Sequence, residues 1–308
     1  MISKKAIVDR VKNYYLSPSG AKKIPYRRGV QLINWFCTTS YARTKYFRKK
    51  VKLFRTYAKG REMPAGKQKI LSEMLATLFL KKWRLKVISN LSEKQFDKYI
   101  SFQNLETLQK SYESGKGVIL LNSHYGLAEV ALSIFPNKGF ENFHTVVGAA
   151  GADSEKFTGI NPEIQANRLV FEKFSDAELF KVLLKAKHVL NDGGIVHILG
   201  DAYHGKSNLT LPFLGKLRGF RPSFAELALS TQAEIIPVFI YPGKKQKVII
   251  ELHPPLDMGK EEDEKEIRVR KVVEQYTDLL EEKWKRMPQF INPGHMDRYL
   301  QLVDEKQA

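Results

Sequence analysis

One histidine in this 308-residue chain stands where it could move a proton. The apolar run Gly117-Val-Ile-Leu-Leu-Asn122 leads straight into Ser123-His124-Tyr125-Gly126-Leu127-Ala128-Glu129. His124 is therefore delivered at the end of an expected strand, with a carboxylate five positions on. Residues five apart on a continuous helix do not share a face. The pair meets only if His124 lies in a non-helical turn and Glu129 in the helix after it. Gly126 is the residue type that permits such a turn. A carboxylate hydrogen-bonded to one imidazole nitrogen fixes the tautomer, and the other nitrogen can then take a proton from a hydroxyl. The chemistry requires no serine or cysteine nucleophile, because the attacking oxygen belongs to a substrate. With seven histidines and 33 acidic residues, this spacing is close to chance expectation. The placement after an apolar strand carries the inference.

The elements that must hold this histidine are readable from periodicity. Short runs rich in Val and Ile, mostly bounded by Gly, Pro or Asn, predict strands over 117–122, 143–149, 194–200, 235–241 and 247–253. Helical patterns fall between them, over 127–135, 176–190 and 223–231. This alternation predicts an α/β fold with a mainly parallel central sheet flanked by helices, whose ligand sites lie at the C-terminal ends of strands. The first third reads as helical. Phe47, Val51, Phe54 and Ala58 share one face, while Lys45, Lys49, Lys52, Arg55 and Lys59 fall largely elsewhere. A basic amphipathic helix of this kind can lie in a membrane interface, or can dock on the protein's own core. Ile70, Leu71, Met74, Leu75, Leu78 and Phe79 form a second stripe of core type, and 261–286 reads as a closing surface helix. The expected organisation is a basic helical region over 1–112, an α/β core over 113–260, and a C-terminal helix and tail over 261–308 packed on that core.

Fifty-one Lys and Arg against 33 Asp and Glu give a net charge of +18. Such an excess attracts polyanions, whether nucleic acid, anionic headgroups, phosphorylated substrates or an acidic protein. The single cysteine, Cys37, excludes an internal disulfide framework and cysteine metal clusters, and reads as an inert thiol. The longest stretch without a charge, 29–42, is short and carries Gln31, Asn34, Thr38, Thr39 and Ser40. No transmembrane helix is expected from it, nor an export signal from the N-terminus. The expected location is peripheral, at the cytoplasmic face of the inner membrane.

The block around His124 and Glu129 resembles the His-x4-Asp/Glu motif of the lysophospholipid acyltransferase superfamily. Within it, the block resembles more closely the branch of lipid A late acyltransferases and phosphatidylinositol mannoside acyltransferases. The resemblance continues in order through Arg168, Gly193-Gly-Ile-Val-His-Ile-Leu-Gly-Asp201, Leu211-Pro-Phe-Leu-Gly215, and Phe224-Ala-Glu-Leu-Ala228 to Ile236-Pro-Val238. It implies transfer of a fatty acyl chain from a thioester, on acyl carrier protein or coenzyme A, to a hydroxyl of a lipid or glycolipid at an anionic membrane surface. By the same resemblance His124 is the general base and Glu129 holds it, with no metal and no further cofactor. Arg168 would hold an anionic part of donor or acceptor, and Asp201 would bind substrate or brace the site. Phe213 and Gly215 would shape the acyl or headgroup pocket, with backbone N–H groups there receiving the oxyanion. Arg218, and with it Arg221, would meet a headgroup phosphate. The chain departs from the branch at Leu127-Ala128, where Asn-Trp is usual, and at Ala202, where Gln is usual.

Two other classes stay open on the residues alone. His124, Glu129 and Asp201 could ligate a metal in a phosphoesterase or nuclease; the other histidines read as structural or surface residues, His204 standing close to Asp201 in the sequence. A non-enzymatic nucleic-acid-binding protein would rest on the charge and on runs such as Tyr41-Ala-Arg-Thr-Lys-Tyr-Phe-Arg-Lys-Lys50. Under the acyl-transfer reading no nucleic acid is expected as a partner.

Overall fold

The computed structural model describes residues 4–148, 167–171, 176–202 and 209–304. Its centre is a seven-stranded sheet built from β1 (Ile100–Gln103), β2 (Val118–Asn122), β3 (Phe143–Gly148), β4 (Arg168–Phe171), β5 (Ile195–Leu199), β8 (Glu234–Pro242) and β9 (Val248–Leu252). β6 (Leu209–Phe213) and β7 (Lys216–Phe220) form a separate antiparallel hairpin. The sheet order is β1-β9-β8-β2-β5-β3-β4, parallel throughout except where β8 meets β9. The expected α/β class is what the chain adopts.

β2 lies at the middle of the sheet, and every one of its residues is buried. A parallel strand covered by helices on both faces has no solvent side. That is why Val118-Ile-Leu-Leu121 reads as a continuous apolar run rather than an alternation. Its register with β5 pairs Asn122 with Leu199, so the two strands end level with one another.

All five expected strands are present, within a residue or two of the expected ends. The β6–β7 hairpin was not expected, and in the central sheet neither were β1 and β4. Each has only four residues, Ile-Ser-Phe-Gln and Arg-Leu-Val-Phe, too few for periodicity to separate from a loop. β1 arises within the helical region 1–112 yet pairs with β9, so the sheet itself reaches across position 112.

The 22-residue helix Lys67–Ile88 ties the N-terminal helices to the sheet. Its Trp83 is fully buried, stacked on Tyr26 at 5.6 Å and tilted against Tyr15 at 5.5 Å. The basic helix Arg48–Tyr57 turns Val51, Phe54 and Tyr57 inward, so its apolar face is consumed by the protein's own core. Within the N-terminal region, exposed apolar side chains lie instead on two other helices. Ile7, Val11 and Tyr14 follow one face of Lys4–Leu16, and Leu32 and Trp35 one face of Tyr26–Thr38. Trp35 is 65% exposed. Cys37, on the opposite face of Tyr26–Thr38, is buried, and burial pushes its thiol up to about 12. The thiolate needed for reactivity is thereby suppressed. Among the described residues, no helix is long and apolar enough to cross a membrane.

Candidate active site

The turn after β2 is pinned atom by atom. The Asn122 side-chain oxygen accepts from the Ser123 N–H at 2.8 Å, and its carbonyl accepts from the Tyr276 hydroxyl at 2.7 Å and the Gly200 N–H at 2.8 Å. Beyond His124, the Tyr125 hydroxyl donates to the Met287 carbonyl at 2.8 Å. The N–H groups of Gly126 and Leu127 donate to the carbonyls of Phe290 and Ile240, both at 2.7 Å. A 3-10 turn, Ala128–Val130, and the helix Ala131–Asn137 follow. His124 thus lies in a non-helical turn at the end of the strand.

Its partner is Asp201. Oδ1 of Asp201 lies 2.8 Å from Nδ1 of His124, and both carboxylate oxygens accept the His124 backbone N–H at 3.0 Å. The cause is the register. Asn122 and Leu199 share a rung, and His124 and Asp201 each lie two residues beyond it. Asp201 is 2% exposed. Burial alone would raise its pKa, but the His124 and His295 imidazoles and Arg218 hold it well below the usual carboxylate range. An ionised carboxylate can only accept, so Nδ1 carries the proton and Nε2 the lone pair. The ring is 37% exposed and faces a small cleft lined in part by Met74, Thr77, Leu78, Lys81, Gly126 and Phe290. A base with its tautomer fixed, open to a cleft, can deprotonate a hydroxyl placed there.

Glu129 takes a different place from the one expected. Its carboxylate pairs with Lys81 Nζ at 3.1 Å, and the Nδ1 position it was to fill belongs to Asp201. The pinned N–H groups of Gly126 and Leu127 carry the chain onward, so that Glu129 meets the helix Lys67–Ile88. Lys81 lines the same cleft as His124, which puts a cation–carboxylate pair at its rim.

Arg218 is fully buried, so it cannot meet a headgroup in solvent as expected. Its guanidinium lies over the rings of Phe220 at 4.5 Å, Phe213 at 4.9 Å and Trp284 at 5.8 Å, and Nη2 donates to the Asp201 carbonyl at 2.8 Å. It braces Asp201 from behind. Phe213 is equally buried, edge-on to Phe220, Trp284 and Tyr299, and is a core residue rather than a pocket wall. Gly215 lies in the two-residue turn joining β6 to β7, with Leu214 at φ 53° and Gly215 at φ 78°. Positive φ at both central positions is the requirement of a type I′ hairpin. The Pro-Phe-x-Gly block is here a hairpin that carries Arg218 to Asp201. Arg168 begins β4, the edge strand, three strands from β2. Arg221 is half-buried, and His204 lies outside the described residues.

Two histidines missed by spacing arguments complete the surroundings. His295 stacks on His124 with ring centroids 4.4 Å apart; the C-terminal segment carries no local sign of this, since the approach is purely tertiary. His197, on β5, contacts Thr145 Oγ1 through Nδ1 at 2.8 Å and Asn122 Nδ2 through Nε2 at 3.3 Å. Burial holds His197 neutral, down at about 3. His124, Asp201 and His295 are also the described residues whose ligand atoms, within 4.8 Å of one another, could gather around a metal ion. Glu129 is not among them.

The buried histidines have a consequence for stability. The unfolded chain takes up a proton on each near pH 6.5, whereas native His197 and His295 do so only near 3. Stability is then full above about pH 6.5 and falls as pH drops below it, with a slope up to ~1.4 kcal/mol per pH unit for each group. The thermal midpoint is expected to decline from pH 7 to pH 4, less steeply in His197→Gln. A flat profile for the wild type would contradict this.

The family model described as bacterial lipid A biosynthesis acyltransferase matches residues 25–285. Among solved structures, the chain is similar to the crystal structure of the 1-acyl-sn-glycerophosphate (LPA) acyltransferase PlsC from Thermotoga maritima. Identity is 18%, coverage is 82% of this chain and 97% of that one, and the TM-score is 0.37. No curated protein matches the sequence.

Proposed function

Because that family match spans most of the chain, the protein belongs to the bacterial lipid A biosynthesis acyltransferases, and we propose that it esterifies a lipid or glycolipid hydroxyl at a membrane surface. The donor is a fatty acyl thioester, on acyl carrier protein or coenzyme A, and no other cofactor takes part. His124 Nε2 removes the proton of the acceptor hydroxyl, and the oxygen attacks the thioester carbonyl. The tetrahedral intermediate collapses with cleavage of the C–S bond, and the thiol leaves with the proton returned from the imidazolium. An ester and a free thiol replace an alcohol and a thioester. The observation that carries this reading is the His124–Asp201 pair at the end of β2, with its tautomer fixed and its ring open to the cleft.

Glu129 enters this scheme through Lys81 at the cleft rim rather than through His124. Arg168 is kept as a contact for an anionic part of donor or acceptor. The membrane-surface reading rests on the N-terminal region. Between Asp9 and Glu62 the chain carries 15 Lys and Arg and no acidic residue. The same region exposes Ile7, Val11, Tyr14, Leu32 and Trp35. Cations draw a protein to anionic lipid, and exposed aromatic and aliphatic side chains enter the interface. Residues 1–112 would then face lipid, 113–260 carry the chemistry and 261–308 close the core, at the cytoplasmic face of the inner membrane.

The test is incubation with acyl carrier protein and coenzyme A thioesters over vesicles of bacterial membrane lipid, reading both acylated lipid and co-sedimentation of the protein. We expect an acyl lipid product and pelleting that weakens with salt. Absence of product with every donor would sink the reaction, and absence of pelleting would sink the surface reading alone.

A further inference from the structure

Asp201 offers two carboxylate oxygens to two imidazoles. Oδ1 is 2.8 Å from Nδ1 of His124, and Oδ2 is 3.2 Å from Nδ1 of His295, off the line of a full hydrogen bond. The His295 ring also lies nearly parallel to that of His124, 27° between planes at 4.4 Å. Both contacts come from a residue beyond the stretch matched by the family model.

His295 is held firmly enough to act on its neighbours. It sits in the first turn of the helix Pro293–Leu300, which Asn292 caps by accepting the Gly294 N–H at 2.8 Å. Met296 and Tyr299 of that helix are fully buried, and the Tyr299 hydroxyl donates to the Leu214 carbonyl at 2.9 Å. The helix is therefore fixed to the same hairpin whose Arg218 braces Asp201. His295 is itself 7% exposed. Burial pushes it down to about 3, against the pull of Asp201 and with the His124 imidazole adding to the push. It stays uncharged and adds no second cation beside the imidazolium that forms on His124 during proton transfer.

We propose that His295 is a positioning residue for the His124 base, fixing the plane of the His124 ring by stacking and holding the second oxygen of Asp201 so that the carboxylate cannot rotate away. A carboxylate free to turn about its Cβ–Cγ bond would present either oxygen to His124 and let the ring follow it. With one imidazole on each oxygen, rotation disrupts both contacts at once. The stack meanwhile covers one ring face, and the His124 ring still lines the cleft. A misplacement of about 1 Å in a catalytic group lowers a rate by about 10²-fold.

This inference rests on the reading of His124 as the base of acyl transfer, so its test has one arm that needs no turnover. In the kinetic arm, His295→Ala is expected to lower kcat about 10- to 100-fold, with the KM of the acyl thioester within about twofold. His295→Phe, which keeps the ring face, and His295→Asn, which keeps an N–H near Oδ2, are each expected to recover part of the loss. Wild-type kcat in His295→Ala would overturn the proposal, as would a loss confined to KM. If the alanine variant does not fold, wild-type kcat in both the Phe and Asn variants would overturn it equally. In the second arm, 15N-histidine labelling reads the Nδ1–H resonance of His124, assigned by its loss in His124→Asn. A sharp downfield signal in the wild type that broadens in His295→Ala supports the proposal, and an unchanged signal refutes it. Failure of acyl transfer with the resonance still dependent on His295 would fault the reaction and leave the positioning role standing.

Discussion

Asp201→Asn is expected to lower acyl transfer by about 10³- to 10⁴-fold, close to the loss in His124→Ala. The carboxylate accepts from the His124 ring and from its backbone N–H. An asparagine amide has one acceptor atom and one donor nitrogen. If the nitrogen faces Nδ1, the imidazole must accept there and carry its proton on Nε2, where a base needs a lone pair. If the oxygen faces Nδ1, the tautomer survives, but the negative charge that stabilises the imidazolium is gone. Either arrangement weakens proton transfer without removing a group that touches substrate. Glu129→Gln, which disturbs a half-exposed pair with Lys81, should cost at least tenfold less in rate than Asp201→Asn. Side-by-side kcat measurements decide the matter. A Glu129→Gln variant as inactive as His124→Ala, beside an active Asp201→Asn, would restore the pairing suggested by sequence spacing.

Gly126→Ala is expected to destabilise the fold by roughly 3 kcal/mol or more and to abolish activity in whatever fraction folds. Gly126 has φ 63°, and a Cβ built there would meet the Ile240 carbonyl oxygen at 2.2 Å. That oxygen cannot retreat freely, because it accepts the Leu127 N–H at 2.7 Å. The Gly126 N–H is likewise committed to the Phe290 carbonyl. Relief can come only from shifting the turn itself, and the turn carries His124. Chemical denaturation and soluble yield provide the measurement. A variant that unfolds at the wild-type denaturant concentration would show that the turn has slack the geometry denies.

These two residues mark different degrees of legibility. Gly126 and His124 were both readable in the sequence, because strand, turn and glycine follow one another within ten residues. The apolar run Val118–Leu121 of β2 marked a strand by itself, and Ser223–Thr231 was legible to its ends. The apolar stripe of Arg48–Tyr57 was visible too, but not what it packs against. A stripe states that a face will be buried and does not say whether lipid or protein buries it. Here Val51, Phe54 and Tyr57 go into the core, while Ile7, Val11, Tyr14, Leu32 and Trp35, on two other N-terminal helices, stay exposed.

What the sequence determined by itself is the α/β class, the five longer strands of the central sheet, and a histidine delivered at the end of one of them. Each follows from short-range rules, the twofold and 3.6-fold periods of side-chain direction and the φ that glycine tolerates. Only the tertiary structure decided that Asp201 rather than Glu129 contacts that histidine, that Arg218 packs behind Asp201, and that His295 stacks on the His124 ring. Those choices depend on the rung shared by Asn122 and Leu199 and on a helix brought back across the site from the far end of the chain. Pairing between strands distant in sequence leaves no period in either of them, so local pattern could place the histidine but not its partner.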